Sequence, residues 1–435
     1  MADFLFRHKR GYARIVRFSW PKLPKAAVSG NKWKVGQWEL SIPLRKAVSL
    51  YPRVGDDEPF CHGFAPAGCG GQGRAQVMIN LASDNVVGAS RPVLEALIAA
   101  NDGAAAPYGT DPFSAKATEL LSQVFEREVQ NFMVATGTGA NALALAALTP
   151  PWGAVFCHAE SHVMDDECGA PEMFTDGAKI VGVPGANGKM TIAALEHQLA
   201  RFGKGVVKSV QPAALSISQV TEAGTIYTLD EIRTFTAFAR KHGLKTHLDG
   251  ARFTNAMLAL GCTAAEMTWK AGIDVVTFGA SKNGCLACEA VIFFDPALAE
   301  NFQYRRKRGG HTLSKGRLLG AQMIGYLEND HWIKNATHAN AMAQKLAQGL
   351  RQTPGARLPW PVDANEVFVV VPLAAKKALD EAEIRAAPWS SNCVPDGFTI
   401  RDDEAFLRFV TSFATKAEEV DAVLAVVAGH RAAAE

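Results

Sequence analysis

The sequence predicts an α/β fold: a large doubly wound domain, its sheet parallel and covered by helices on both faces, followed by a smaller C-terminal α+β domain. Three observations carry this. From about residue 78, apolar strand-like runs alternate with stretches of helical periodicity, the order that builds a parallel sheet. Two of those runs, "LKTHLDG" and "GIDVVTFGASK", end on charged residues, Asp249 and Lys282. After about residue 325 the pattern shifts to strand-like "NEVFVVVP" and "EAFLRFVTSF" and a final helix. With 435 residues, 48% of them hydrophobic, the chain has ample material for a large domain and a small one.

Residues 1–75 differ in kind. They hold 13 Lys and Arg against 5 Asp and Glu, in a chain whose net charge is only +2. Trp20, Trp33 and Trp38 lie among the basic residues, and no sustained period is evident. The expectation is an extension that is disordered or not part of the fold. Basic residues interleaved with Trp would also suit an acidic surface or nucleic acid. That reading leaves the rest of the chain without a use, so no nucleic-acid partner is expected. The segment lacks the apolar core of a secretory signal.

Residues 76–325 are expected to form the large domain. Its helices are illustrated by "TLDEIRTFTAFARKHG". Thr228 and Glu231 read as a capping box, Ile232, Phe235 and Ala239 share a face, and Gly243 stops the helix. Residues 326–435 are expected to form the small domain. Its last helix is predicted to start at Thr415, capped against Glu418, with Val420, Val423, Leu424 and Val427 on one face. No apolar run approaches the roughly 18 residues of a membrane span, so no membrane partner is expected and the chain reads as cytoplasmic. Eight scattered cysteines suit a reducing compartment. Cys285-Leu-Ala-Cys288 has no second pair at zinc-finger distance and reads as two packed thiols, with no metal.

In doubly wound sheets, ligands sit beyond the carboxyl ends of the strands. Asp249 and Lys282 both fall there and could meet in one crevice. A neutral lysine amine forms Schiff bases with carbonyls. Pyridoxal 5'-phosphate needs such a lysine, with an acidic partner to keep its pyridine nitrogen protonated. Either residue alone reads better as a salt bridge or a solvated charge. "ATGTGANALAL", residues 135–145, puts Gly137 and Thr138 at the start of a helix, where backbone N–H groups and the helix dipole attract phosphate. "CHAESHVMDDECGAPE", residues 157–172, holds His158 and His162 four apart. It fits a metal pair, a loop with polar caps, or a histidine lying flat on an aromatic cofactor.

These blocks occur in order with "LASDNVVGA", "YGTDPFSAKA", "HLDGARFTNAM", "EMTWKAGIDVVTFGASKNG" and "RRKRGGHTLSKGRLLGAQ". Together they resemble the low-specificity L-threonine aldolases, including the phenylserine-cleaving type, from about residue 79 to the end. The resemblance implies the fold of pyridoxal-phosphate-dependent transferases (fold type I). It implies cleavage of threonine, allo-threonine or related β-hydroxy-α-amino acids to glycine and an aldehyde. Lys282 would carry the Schiff base, Asp249 would face the pyridine nitrogen, and Gly137 and Thr138 would hold the phosphate. His162 would stack on the ring and Arg252 would lie beside its hydroxyl. Ser83 and Arg408 would bind the substrate carboxylate. Tyr108 would come from a neighbouring subunit of a homodimer or homotetramer. Another enzyme of the same fold, a β-eliminating lyase or an aminotransferase, is the alternative. One departure stands out: where relatives carry Thr-His-Asn-Gly, this chain has Thr221-Glu222-Ala223-Gly224, so a base role would pass to His162, Glu222 or water.

Overall fold

The computed structural model describes residues 78–429, apart from positions 391, 393 and 396, and the backbone of five short strands between residues 2 and 41. Contacts divide the chain between Arg74 and Ala75 into two compact units. In the first, the strands lie in the order Ala13–Phe18, Ala2–Arg7, Trp38–Ser41, Lys32–Val35, Ala27–Ser29, every pairing antiparallel. The sequence reading found no strand period here. Runs of three to six residues are too short for alternation to stand out. The Trp and basic side chains behind the surface-binding reading lie outside the described residues.

The second unit is built on a seven-stranded sheet. Its spatial order is Gln130–Val134, Glu289–Phe293, Val275–Gly279, Lys245–Gly250, Gln211–Ser218, Gly153–His158, Lys179–Val183. Six strands run the same way, and Glu289–Phe293 is antiparallel to both neighbours. The expectation of a purely parallel sheet is corrected at this strand. The link from Gly279 to Glu289 is too short for a crossover helix, which needs about a dozen residues, so the chain must reverse. That reversal places the Lys282 turn and Glu289 at one edge of the same crevice.

Apolar clusters cover both sheet faces. One packs Phe156, Leu215, Leu248, Phe253 and Phe278. The other packs Leu143, Val155, Val275 and Phe293 under the Gly137–Leu148 helix, whose interior residues are nearly all buried. The helix over Leu229–His242 forms as read: Thr228 and Glu231 make both bonds of the capping box, and Gly243 closes it at φ +74°.

A separate core of Leu346, Leu350, Val367, Val369, Leu407, Phe409 and Val423 defines the smaller lobe. Its strands Glu366–Pro372 and Glu404–Val410 pair antiparallel. Two boundaries differ from the sequence reading. Position 325 falls inside the Arg317–Leu327 helix, which packs on the large core, and the lobes change over along His331–Gln352 instead. Residues Ile79–Asn80 pair with Ile384–Arg385, and Leu81 joins the smaller core. The last helix begins at Ala417 rather than Thr415. Thr415 Oγ1 instead accepts the Ser412 N–H, and Glu419 takes the Lys416 N–H.

Candidate active site

A cavity of about 320 Å³ opens at the carboxyl ends of the central strands. Its wall includes Gly137, Thr138, His162, Glu222, Asp249, Arg252 and Lys282. The sequence had named all seven, from blocks far apart in the chain.

Asp249 closes the Lys245–Gly250 strand and is buried. One of its oxygens accepts the Ala251 N–H at 3.0 Å and the other accepts the Asn141 amide at 2.9 Å. Asn141 gives a second bond to Glu167 Oε1 at 2.8 Å, and that same oxygen meets His162 Nδ1 at 2.9 Å. One amide thus ties Asp249, Glu167 and His162 together. Glu167 favours protonation through burial, while bonds from His162 and Asn141 pull the other way. His162 is raised by Glu167, against the pull of burial. His158 is otherwise engaged: Nδ1 accepts the Glu160 N–H at 3.1 Å, so Nε2 donates to Gly185 O at 3.0 Å. The metal-pair reading of the two histidines has no support in this arrangement. Among the described residues no cluster of three or more His, Cys, Asp or Glu is set to hold a metal ion. Cys285 and Cys288 are buried, bond to helix carbonyls, and have thiols pushed up by burial.

Lys282 stands in the single turn Ser281–Asn283 just past its strand. Glu289 is buried behind this turn and accepts the Ala280 N–H at 2.9 Å. Burial pushes Glu289 up to about 7, although bonds from Ser281 and Ala280 and the charge of Lys282 oppose it.

At the Gly137–Leu148 helix, Thr136 Oγ1 accepts the Gly139 N–H. Among the described residues the Gly137 and Thr138 N–H groups have no internal partner, as expected for the first turn. A Cβ on Gly139 would lie 2.2 Å from the His311 ring, so a larger residue there would have to displace that ring.

Arg252 is held by Asp84 through paired bonds of 2.7 and 3.0 Å, and lies 3.3 Å from Glu366. Burial opposes Asp84 ionisation, yet Arg252, Lys282 and hydrogen bonds from Arg252 and Asn365 hold its carboxyl low. Glu366 lies 3.7 Å from Arg408, whose guanidinium covers Trp389 at 4.5 Å and donates to Ala82 O. Arg408 Nε is buried with no hydrogen-bond partner. Ser83 caps the neighbouring turn by accepting the Asn85 N–H. Ser83 and Arg408 therefore sit at the lobe junction, joined to the cavity through Glu366 and Arg252. Tyr108 lies elsewhere: half exposed, at φ +63°, beneath Lys307.

Glu222 rides on the turn after the Gln211–Ser218 strand. Gly224 N–H bonds Thr221 O at 2.9 Å, and the Thr221 and Thr225 hydroxyls meet at 2.8 Å. Gly224, at φ +72°, lies so close to the smaller lobe that a Cβ would meet Glu366 and Phe368 at 3.1 Å.

The donor set fits pyridoxal 5'-phosphate. Free N–H groups at a helix start suit its phosphate, a fixed buried carboxylate suits a pyridinium, and an amine stands on the same wall.

Sequence reasoning missed Asn141, Glu289, Asp84 and Glu366, and it noted Glu167 only as part of a polar cluster. Asn141 had a signal, as the lone polar residue in "GANALALAAL".

A beta-eliminating lyase family model matches residues 80–374. A low-specificity L-threonine aldolase of Pseudomonas aeruginosa is 40% identical over 78% of this chain and 94% of its own length. Another, from a Pseudomonas species, is 41% identical over 68% of this chain and 86% of its own. The solved structure of Leishmania major threonine aldolase matches with a TM-score of 0.74 at 29% identity, covering 80% of this chain and 98% of that one. The chain therefore belongs to the beta-eliminating lyase family and, within it, to the low-specificity L-threonine aldolases.

Proposed function

We propose that this protein is a pyridoxal-phosphate-dependent carbon–carbon lyase. It cleaves L-threonine, L-allo-threonine or a related β-hydroxy-α-amino acid such as phenylserine to glycine and an aldehyde. The observation that carries this is the single cavity lined by Lys282, Asp249 and the Gly137–Thr138 helix start. When bound, the cofactor supplies an electron sink for the pair left on Cα as the Cα–Cβ bond breaks.

The residues divide the remaining work. Lys282 would hold the cofactor through its amine. Asp249, fixed by Asn141 and Ala251, would keep a proton on the ring nitrogen. The Gly137 and Thr138 N–H groups would hold the phosphate, and His162, held by Glu167, would serve as a flat partner for the ring. Arg252 would face the ring from the same wall. Arg408, with its unpartnered Nε, receives the substrate carboxylate beside Ser83, where a planar guanidinium can make two parallel bonds. Tyr108 lies outside the chain's own cavity and serves a neighbouring subunit's site in a homodimer or homotetramer. A cytoplasmic location is supported by free cysteines at 157, 168, 262, 285 and 288.

The test is incubation of the pyridoxal-phosphate-loaded protein with L-threonine and phenylserine, assayed for glycine, acetaldehyde and benzaldehyde. Glycine forms with the aldehyde, and Lys282→Ala lowers turnover at least a thousandfold. Keto-acid without glycine would instead mark a β-eliminating lyase or an aminotransferase. Full activity in Lys282→Ala would reject the assignment of the lysine.

A further inference from the structure

We propose that Glu222 is the base that takes the β-hydroxyl proton of the amino acid as its Cα–Cβ bond breaks. This rests on the aldolase reading above. Four carboxylates line the cavity: Glu167, Glu222, Asp249 and Glu289. Three are spoken for. Asp249 accepts from Asn141 and Ala251, Glu167 from Asn141 and His162, and Glu289 from the Ala280 N–H. Among the described residues the Glu222 carboxylate accepts no hydrogen bond, so its oxygens are open to a ligand.

Its placement is fixed by backbone. The Thr221–Gly224 bond, the paired threonine hydroxyls and the Thr225 bond to Asn187 O at 2.6 Å hold the turn. A base on a pinned turn loses little freedom when a substrate docks.

Charged groups face Glu222 from every side of the cavity. Lys282, His162 and Arg252 favour its carboxylate, while burial and Asp249 oppose it, and the net effect is a carboxyl above its ordinary range. Glu366 also faces it from the smaller lobe. A raised carboxyl is a stronger base than a free one and better matched to neutral pH. The rival, His162, spends Nδ1 on Glu167 and in the reading above is taken up as the flat partner of the cofactor ring.

The step balances. The hydroxyl proton passes to a Glu222 oxygen, and the oxygen keeps the O–H pair to form the aldehyde C=O. The Cα–Cβ pair stays on Cα, in the sink the cofactor supplies. Cα takes a proton from solvent to give glycine, and the proton on Glu222 returns to solvent before the next turnover.

The test compares wild-type holoenzyme with Glu222→Gln, which keeps size and shape. Glycine has no β-hydroxyl, so it probes everything except this base. The variant should lose at least a hundredfold in kcat for L-threonine. It should keep, within about threefold, both glycine affinity, read from the visible absorbance of the bound cofactor, and exchange of the glycine α-proton with deuterium, read by NMR. Wild-type kcat/KM should fall as pH drops through the Glu222 titration, and that limb should be missing from the variant's residual rate. Threonine cleavage within threefold of wild type would overturn the assignment. So would an equal loss of glycine binding and exchange, which would mark a structural role. A wild type that cleaves no β-hydroxy amino acid would overturn the aldolase reading itself, and the base with it.

Discussion

Glu289 shows how a single residue can set a pH dependence apart from turnover. Its carboxyl is raised from 4.5 to about 7 by burial, so folding favours its protonated form. A group raised in this way stabilises the fold fully below about pH 4.5 and loses that contribution as pH rises through 7. The shift corresponds to an upper limit of about 3 kcal/mol. Glu289→Gln removes the titration but keeps an oxygen for the Ala280 N–H. The melting temperature of the variant relative to wild type should therefore climb between pH 4.5 and pH 8. A difference that stays flat across that range would count against a buried, titrating Glu289. Why this residue escaped the sequence is physical. Lys282, Asp249, Gly137 and Thr138 each sit in a local pattern with its own chemical meaning, a strand end or a helix start. Asn141 and Asp249 are 108 positions apart, and Asp84 and Arg252 are 168 apart. Nothing in the neighbourhood of either partner announces the other.

Elements were legible where local rules agree with the fold. The Leu229–His242 helix carries its cap, its apolar face and its αL stop in one contiguous stretch. The lone antiparallel strand was not, because "CEAVIFF" has the same apolar run in either direction and only loop length decides its sense. The Gly137–Leu148 helix offers an element-level test. Gly139→Ala would drive a methyl into the tip of the His311 ring and to 2.9 Å from Thr136 Oγ1. Clearing it displaces the His311 ring and the Thr136 hydroxyl that caps this turn, which disturbs the seat of the Gly137 and Thr138 N–H groups. Affinity for pyridoxal phosphate should fall at least tenfold, measured by absorbance titration of the cofactor-free protein, with far-ultraviolet circular dichroism unchanged. Unaltered affinity would remove this helix start from the phosphate site.

Across the whole molecule, the family match spans 80–374 and the contact division falls at Arg74. A chain starting at Ala75 is therefore expected to bind pyridoxal phosphate and to cleave threonine within about threefold of the full-length rate. A loss beyond tenfold would make the first unit part of the working enzyme. The broad architecture was readable because strand and helix periods alternate over hundreds of residues. The junction between lobes was not, since the Ile79–Leu81 segment crosses to the smaller core through pairings that no local pattern encodes. Gly224 makes that junction consequential. Its backbone rests directly on Glu366 and Phe368, with no side chain between to cushion the contact. Packed protein is stiff, so a slide of the smaller lobe by an ångström must push the 221–225 turn along with it. Whatever draws the two halves together around a ligand also sets the aim of the carboxylate at 222, like a latch that cocks the hammer as it shuts.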